Sequence, residues 1–332
     1  MKYFIAPLLF IFLCSCGTKT SELPEYYKHV DQTLCVVDNL GNVINGWKTL
    51  GFDQVILFDE VDVKLLKSNQ SLKVKMALTN LGGANVVWIQ PLEGESVFSQ
   101  FHLSYGDGAM SLVHRVESPG NLRKELKRLR SLDLNVLEEV EILTGKGSLH
   151  YFIMDSRKQG KYNLGFVTGV EDQKIWQELS PANSHNLKIN QYAFAIRQAE
   201  PVSEYWQKIG LPEFQINHPV LGNKHYYGKT VDHDLIQGWQ RHGSVAYEWC
   251  IPVSTPIVYD DHIGRHGEGI HHLAFSTEDM DKVLDDYGSK SFLVSMGGTW
   301  GEEGKPGSGR YEYIDMEQAG GLTIELLWNF KE

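Results

Sequence analysis

The chain repeats itself with a period of about 160 residues, and this repeat is the feature that most limits its fold. Residues 86–108 (VVWIQPLEGESVFSQFHLSYGDG) and 247–269 (YEWCIPVSTPIVYDDHIGRHGEG) each contain a strand-like run, a proline, an amphipathic stretch and a Gly-acid-Gly element. The segments that open the two halves, 32–52 and 191–211, share a strand, a helical run and a glycine. One structural unit is therefore present twice. A chain of 332 residues is long enough for two such domains.

A finer repeat lies inside each half, where a strand, a helix and further strands occur twice over. In the second half the predicted order is strand 189–196, helix 200–209, strands near 224–230, 237–243 and 245–251, strand 270–276, helix 278–287 and strands near 292–296, 310–315 and 322–328. In the first half it is strand 30–37, helix 40–49, strands to 90, strand 110–117, helix 120–131 and strands to 168. The predicted fold class is α+β. The domains are expected over 29–170 and 188–330, with the polar segment 171–187 as the linker.

Composition and charge exclude some classes of function. Apolar residues make up 42% of the chain, which is enough for two cores. The chain has 31 Lys and Arg against 42 Asp and Glu, a net charge of −11, and it contains no basic patch. Nucleic acid is therefore not an expected partner.

The N-terminus has the pattern of an export signal. One Lys precedes an apolar run from Tyr3 to Leu13, which is too short to span a bilayer permanently. The sequence LCSC that follows resembles a bacterial lipoprotein signal, with residues 1–16 as the signal and Cys16 as the lipidated residue. We expect an exported protein held on the membrane by lipid, with residues 17–28 as a polar tether. Simple signal cleavage and an uncleaved anchor are the alternatives.

Two further cysteines, Cys35 and Cys250, lie inside apolar runs. They are too few for a disulfide framework, so we expect buried thiols.

Four strong metal-ligand side chains occur on four different predicted strands of the second half: Gln191, Glu248, His272 and Glu325. Because side chains alternate along a strand, His272 should share a face with small residues, and Gln191 should share one with Ala193 and Ala195. The same alternation predicts that His271 faces the other way. Two buried carboxylates without a cation would repel each other. The pattern therefore indicates one divalent metal site, although each residue alone is more often a structural His or a solvent-facing Glu.

Paired β-α-β-β-β units with Gln or His on a first strand and Glu on a last strand resemble the vicinal oxygen chelate superfamily. The stretches HGEGIHHLAFSTEDMDKVL (266–284) and GSGRYEYIDMEQAGGLTIELL (307–327) are similar to its methylmalonyl-CoA epimerase branch. The superfamily also contains glyoxalases and dioxygenases. The resemblance implies two tandem domains, each of two paired βαβββ modules that form an open sheet lining a groove.

The first half lacks most of the ligand set. Alignment by the repeat places Gln32 with Gln191, and it places an apolar or small residue at each other position: Val87 for Glu248, Ser111 for His272 and Gly165 for Glu325. The first domain is therefore expected to be a degenerate, metal-free copy.

The predicted ligands are mostly oxygen donors, which suit Zn, Ni, Co, Mn or Mg. Such an ion would polarise a carbonyl and stabilise an enediolate while Glu325 or Glu248 removes the neighbouring proton. The expected function is an isomerase, epimerase or lyase acting on a small exported carbonyl compound, since acyl-CoA thioesters are cytosolic. The alternatives are an Fe(II) dioxygenase, which usually needs two His and one carboxylate, and a non-catalytic ligand-binding lipoprotein.

One segment near the expected groove, 224–243, is rich in His, Tyr, Lys and Trp. Its substrate-binding candidates are Tyr227, Lys229, His233 and Trp239. The alternative for this segment is a polar hairpin with solvated side chains.

Overall fold

The computed structural model describes residues 23–168, 173–244, 246–303 and 305–330. The predicted signal, Cys16 and the start of the predicted tether lie outside these ranges. Within them, helices are too short or too polar to cross a membrane.

The first domain opens with a 3-10 turn at Glu25–Lys28. Its strands are β1 (Gln32–Val36), β2 (Val55–Leu65), β3 (Gln70–Leu81), β4 (Ala84–Pro91), β5 (Gly108–Arg115), β6 (Val136–Thr144), β7 (Gly147–Met154) and β8 (Asn163–Thr168). Its helices are α1 (Leu40–Thr49), α2 (Val97–Tyr105), α3 (Pro119–Arg130) and α4 (Arg157–Gly160). Side-chain caps fix three helix starts, because Asn39, Ser96 and Ser118 each accept a backbone N–H three residues on.

The eight strands of the first domain form a closed barrel in the order β1-β4-β3-β2-β6-β7-β8-β5. The sheet closes because the last residues of β2 pair with β6. The pairing runs from Asp62 opposite Leu143 to Leu65 opposite Val140. The expected open sheet is therefore wrong for this domain. The physical reason is its interior, which apolar side chains such as Leu34, Val36 and Val87 occupy.

The second domain follows a short helix α5 (Gln173–Trp176). Its strands are β9 (Lys188–Ala195), β10 (Gln215–Asn217), β11 (Leu221–Tyr226), β12 (Lys229–Thr230), β13 (Leu235–Arg241), β14 (Ala246–Pro252), β15 (Gly269–Ser276), β16 (Val294–Trp300), β17 (Gly309–Ile314) and β18 (Thr323–Asn329). Its helices are α6 (Ala199–Ile209), α7 (Val258–His266) and α8 (Met280–Ser289), with a 3-10 turn at Glu317–Ala319.

The second sheet is open, in the order β10-β13-β14-β9-β15-β18-β17-β16-β11-β12. By the repeat, β10 and β11 together take the place of β2, and β12 and β13 take the place of β3. Each of these long strands is interrupted in the second domain, at residues 218–220 and 231–234. The interruptions separate β10 from β11 and β12 from β13. The predicted α+β architecture of two repeated domains is confirmed, and the predicted open sheet holds in this copy.

Helices α1, α3, α6 and α8 share one continuous apolar core that includes residues of both sheets. At its centre the ring of Tyr162 stacks on Trp206 with ring centroids 4.7 Å apart, and Trp206 Nε1 donates to the carbonyl of Gly160 at 3.1 Å. Adding a Cβ to Gly160 would place it 2.4 Å from the Trp206 ring. The two domains are therefore packed together rather than flexibly joined.

Two segments expected to be polar connectors belong to the fold. The predicted tether ends too late, because Tyr27 is 1% exposed and donates its hydroxyl to Glu125 Oε1 at 2.5 Å. The predicted linker supplies Ile175 and Leu179 to the interior cluster of the first barrel. Both segments are polar on average, and their few apolar side chains are enough to anchor them.

Candidate metal centre

Four adjacent strands bring the four predicted ligands to one point. The sheet order β14-β9-β15-β18 places Glu248, Gln191, His272 and Glu325 side by side on its concave face. Gln191 Nε2 donates to Glu248 Oε2 at 2.6 Å and to Glu325 Oε2 at 3.1 Å. His272 Nε2 lies 3.2 Å from Glu325 Oε2 and 3.7 Å from Glu248 Oε2.

All four side chains are buried, with exposed fractions between 0% and 4%. Burial lowers the pKa of His272, but hydrogen bonds and charges from Glu248 and Glu325 outweigh it and raise the pKa to about 9. Burial raises the pKa of Glu248, and the Glu325 carboxylate adds to this, while hydrogen bonds from His272 and Gln237 oppose it. A protonated His272 therefore neutralises one of two enclosed carboxylates.

This donor set fits a divalent ion. Glu248, His272 and Glu325 offer ligand atoms that all lie within 4.8 Å of one another, and they form the one such cluster found in the described ranges. Gln191 now presents its amide nitrogen to the carboxylates. A 180° turn of that amide, which exchanges the positions of its N and O atoms, would present Oε1 as a fourth ligand. These residues could therefore hold a metal, which would balance the charge that His272 alone leaves.

His271 lies on the same side of the sheet as His272, contrary to the alternation argument. The register between β15 and β9 pairs Ile270 with Phe194 and His272 with Ala193, so His271 is an extra, bulged residue. Its Nδ1 lies 2.9 Å from Nδ1 of His272. Burial holds the pKa of His271 well below its usual range, so this ring is neutral and accepts the hydrogen bond that His272 donates. His271 thus orients a predicted ligand.

The first barrel has the same bulge at the equivalent place. Leu34 pairs with Ser111 and Cys35 pairs with Ala109, so Met110 is the extra residue there. Met110 and Ser111 correspond to His271 and His272. In that barrel Gln32 accepts a hydrogen bond from Tyr151 at 2.6 Å and donates to its neighbour Asp31 at 2.9 Å.

Sequence reasoning missed Gln237, which donates to Glu248 Oε1 at 2.5 Å. Gln237 also accepts a hydrogen bond from the exposed Asn217 at 3.0 Å, so a polar chain runs from the rim of the sheet to Glu248. Alternation on β13, the strand next to Glu248, was the signal that could have identified it.

The four substrate-binding candidates are separated in the structure. Trp239 pairs directly with Glu248 across β13 and β14, and the buried His233 lies 3.3 Å from the Tyr311 hydroxyl on the concave face. Tyr227 and Lys229 lie at the exposed turn between β11 and β12, and Tyr227 donates its hydroxyl to Asp315. The site thus gathers Trp239 and His233 on its own face of the sheet, while the other two belong to a hairpin at the rim.

No family model and no curated protein matches the chain. A triple mutant of 4-hydroxymandelate synthase from Streptomyces coelicolor is similar in structure with a TM-score of 0.61 and 11% identity, over 92% of this chain and 94% of that one.

Two further solved structures are less similar. One is the Mn(II)-bound glyoxalase from Novosphingobium aromaticivorans, with a TM-score of 0.46 and 12% identity, over 92% of this chain and 83% of that one. The other is a catechol 2,3-dioxygenase, with a TM-score of 0.45 and 12% identity, over 91% and 89%. The synthase matches both domains, and at this identity the similarity establishes the fold alone. The chain has the two-domain α+β fold of that synthase.

Proposed function

We propose that the protein is a divalent-metal-dependent enzyme that moves a proton on the carbon next to a carbonyl group, as an isomerase, epimerase or lyase. One observation carries the proposal: a Gln, a His and two Glu converge from four strands on a single buried point. Such a mixed set of mainly oxygen donors suits Zn, Ni, Co, Mn or Mg.

The roles of the side chains follow from their contacts. A bound divalent ion would supply polarisation of a carbonyl oxygen and stabilisation of its developing negative charge. Glu248 and Glu325 are the candidate bases, since each carboxylate can take a proton from a carbon held beside it. Gln191 contacts both carboxylates and holds them apart, while Gln237 holds the outer oxygen of Glu248.

The proposed substrate is a small carbonyl compound outside the cytoplasm. The export-type sequence at residues 1–16 and the lipidation candidate Cys16 support a membrane-anchored location, where a keto-acid or keto-sugar is available and an acyl-CoA is not. Replacing Cys16 with Ser should block lipid attachment and release the protein from membranes. Unchanged membrane association would contradict lipidation.

The test of the reaction is proton exchange with solvent. Metal-stripped protein is incubated in D2O with pyruvate, 2-ketobutyrate, hydroxyacetone or dihydroxyacetone, and Mn, Co, Ni, Zn or Mg is added back. Deuterium should enter the carbon next to the carbonyl with metal present and not without it. Glu325→Gln and Glu248→Gln, measured in parallel, identify the base, whose loss should slow exchange by roughly 10²–10⁴-fold.

A second candidate is an Fe(II) dioxygenase of the same superfamily. Its support is that β15 and β18 supply one His and one carboxylate, two of the three ligands such sites usually use. Gln191 stands where a second His would be needed, which favours the first proposal. Oxygen uptake matched to substrate loss, without deuterium exchange, would establish the dioxygenase. Retention of a ligand without any turnover would instead indicate a binding lipoprotein.

A further inference from the structure

A cavity of about 470 Å³ lies at the α2 end of the first barrel, away from the candidate metal centre. Its walls come from α2, from the turn between β2 and β3, and from α4. Apolar side chains form much of its surface, among them Leu65, Val97, Phe101 and Met110. Several of these residues also belong to the apolar cluster inside the barrel, so the cavity reaches from the surface to the barrel's interior side chains.

Arg157 lines this cavity and lacks an acidic partner. Its guanidinium stacks on Tyr105, 3.8 Å from the ring centroid, and on Phe101 at 4.9 Å. It donates long hydrogen bonds of 3.3 Å to the carbonyls of Lys161 and Glu268. Within the described ranges it forms no ion pair, and its enclosed Nε has no hydrogen-bond partner. An enclosed cation without a counter-charge lowers stability.

The repeat provides an internal comparison. The residue equivalent to Arg157 in the second domain is Glu317, which contacts His266 Nε2 at 2.8 Å and Arg265 Nη1 at 3.6 Å. The Glu317 carboxylate is thus paired with His266 and Arg265, which correspond to Tyr105 and Ser104 of the first domain. In the first domain the charge is reversed and those neighbours are uncharged, so Arg157 lacks the compensation that Glu317 has.

We propose that Arg157 binds the carboxylate of a small organic acid whose apolar part fills the cavity. The guanidinium is held by the two rings, and its Nη1 and Nη2 each make one long bond to a carbonyl and keep a second N–H that can donate to a carboxylate. Burial lowers the pKa of Arg157, in line with a cation that needs an anion.

The acidic side chains of Glu95, Glu138 and Asp155 line the same cavity. They disfavour ligands with several negative charges, such as phosphate, and they leave a single carboxylate as the expected anionic group.

The experiment measures binding of benzoate by calorimetry to metal-free His272→Ala protein, so that carboxylate binding at the metal centre does not contribute. Benzamide is the neutral probe of the same shape, and inorganic phosphate is the polyanion. Arg157→Met keeps an apolar stem against the two rings and removes the charge. Arg128→Met is the matched control, since that Arg is already paired with Glu125 and the carbonyl of Ile209.

Benzoate should bind with one site per chain, and benzamide and phosphate should bind at least tenfold more weakly. Arg157→Met should lose at least tenfold in benzoate affinity, and Arg128→Met should not, provided that both keep the circular dichroism of the parent. If Arg157→Met does not fold, Arg157→Lys should show a weaker, still charge-dependent affinity. Absence of benzoate binding by the parent, or equal affinity for benzoate and benzamide, would overturn the proposal, as would undiminished binding by the Arg157 variant.

Discussion

The hydroxyl groups of Tyr259, on α7, and Tyr313, on β17, lie 2.7 Å apart. The two rings also flank His272, with Tyr313 edge-on at 5.0 Å and Tyr259 nearly parallel at 6.3 Å between centroids. Burial keeps the pKa of both tyrosines well above its usual value, so neither carries a charge beside the carboxylates. Helix α7 thereby closes the inner end of the concave face and holds the His272 ring in place.

Removing both hydroxyls of this pair should cost less than the sum of the two single losses. Tyr259→Phe or Tyr313→Phe leaves a buried hydroxyl without a partner, which costs about 1–3 kcal/mol of unfolding free energy. The double variant leaves none, so its loss should be smaller than the sum of the single losses. Urea unfolding of the four metal-free proteins measures this coupling. Strictly additive losses would mean that the two hydroxyls do not interact.

We expect one divalent metal per chain, bound by the second domain. His272→Ala and Glu325→Ala should each abolish tight binding because each removes one ligand from a small set. Ser111→Ala, at the position of His272 in the first barrel, is the matched control and should leave the metal content unchanged. Elemental analysis after dialysis gives the ratio. Two metals per chain, or loss of metal in Ser111→Ala, would show that the first barrel also binds.

His271→Ala should still bind the metal, but with lower affinity. The bulge makes His271 the hydrogen-bond acceptor for His272, and loss of such an outer partner typically costs about 10–100-fold in metal affinity. His271→Asn offers a side-chain oxygen close to the position of Nδ1 and should recover part of the affinity. Competition with a chelator measures each constant. Complete loss of metal in His271→Ala, as in His272→Ala, would instead assign His271 a direct role as a ligand.

Acid should destabilise the fold through His114. Burial lowers the pKa of this residue to about 4, and its Nδ1 donates to the carbonyls of Tyr26 and His29. The unfolded chain binds this proton near pH 6.5, so the unfolding free energy falls as the pH drops from about 6.5 to about 4. At pH 4.5 the protonation of His114 should lower the unfolding free energy by about 2–3 kcal/mol.

His114→Asn keeps a donor near the Nδ1 position and cannot titrate. Urea unfolding of the two metal-free proteins at pH 7 and pH 4.5 should show a smaller pH-dependent loss for the variant. Equal losses in the two proteins would mean that His114 is not buried in its neutral form.

The repeat predicted the two-domain fold, and the residue types on four predicted strands indicated the candidate site. Offsets near 160 residues put Gln32 with Gln191 and Gly165 with Glu325, and the strand register agrees with both. Alternation also predicted the small residues Ala193 and Ala195 on the concave face. The repeat is visible because both copies stand in one sequence. Alternation is visible because it depends only on neighbouring residues along one strand.

The remaining features depend on contacts between distant strands. The bulge at His271 is a mismatch between β15 and β9, and neither strand contains a sign of it in its own sequence. Closure of the first barrel depends on whether β2 continues far enough to pair with β6. Gln237 acquires its role only because β13 lies beside β14. A residue's partner across a sheet is set by tertiary packing, and the residue pattern within one strand does not specify it.

The filled first barrel has a consequence for how the molecule assembles. We expect it to fold without a cation, because its described residues contain no cluster comparable to Glu248, His272 and Glu325. It is also the half that leaves the ribosome first, and domains tend to fold in that order. Its completed helix layer then offers Trp206 and the other apolar residues of α6 a surface on which to dock. We therefore expect metal capture to be a late step, made by a carboxylate pair whose surrounding backbone is already in position.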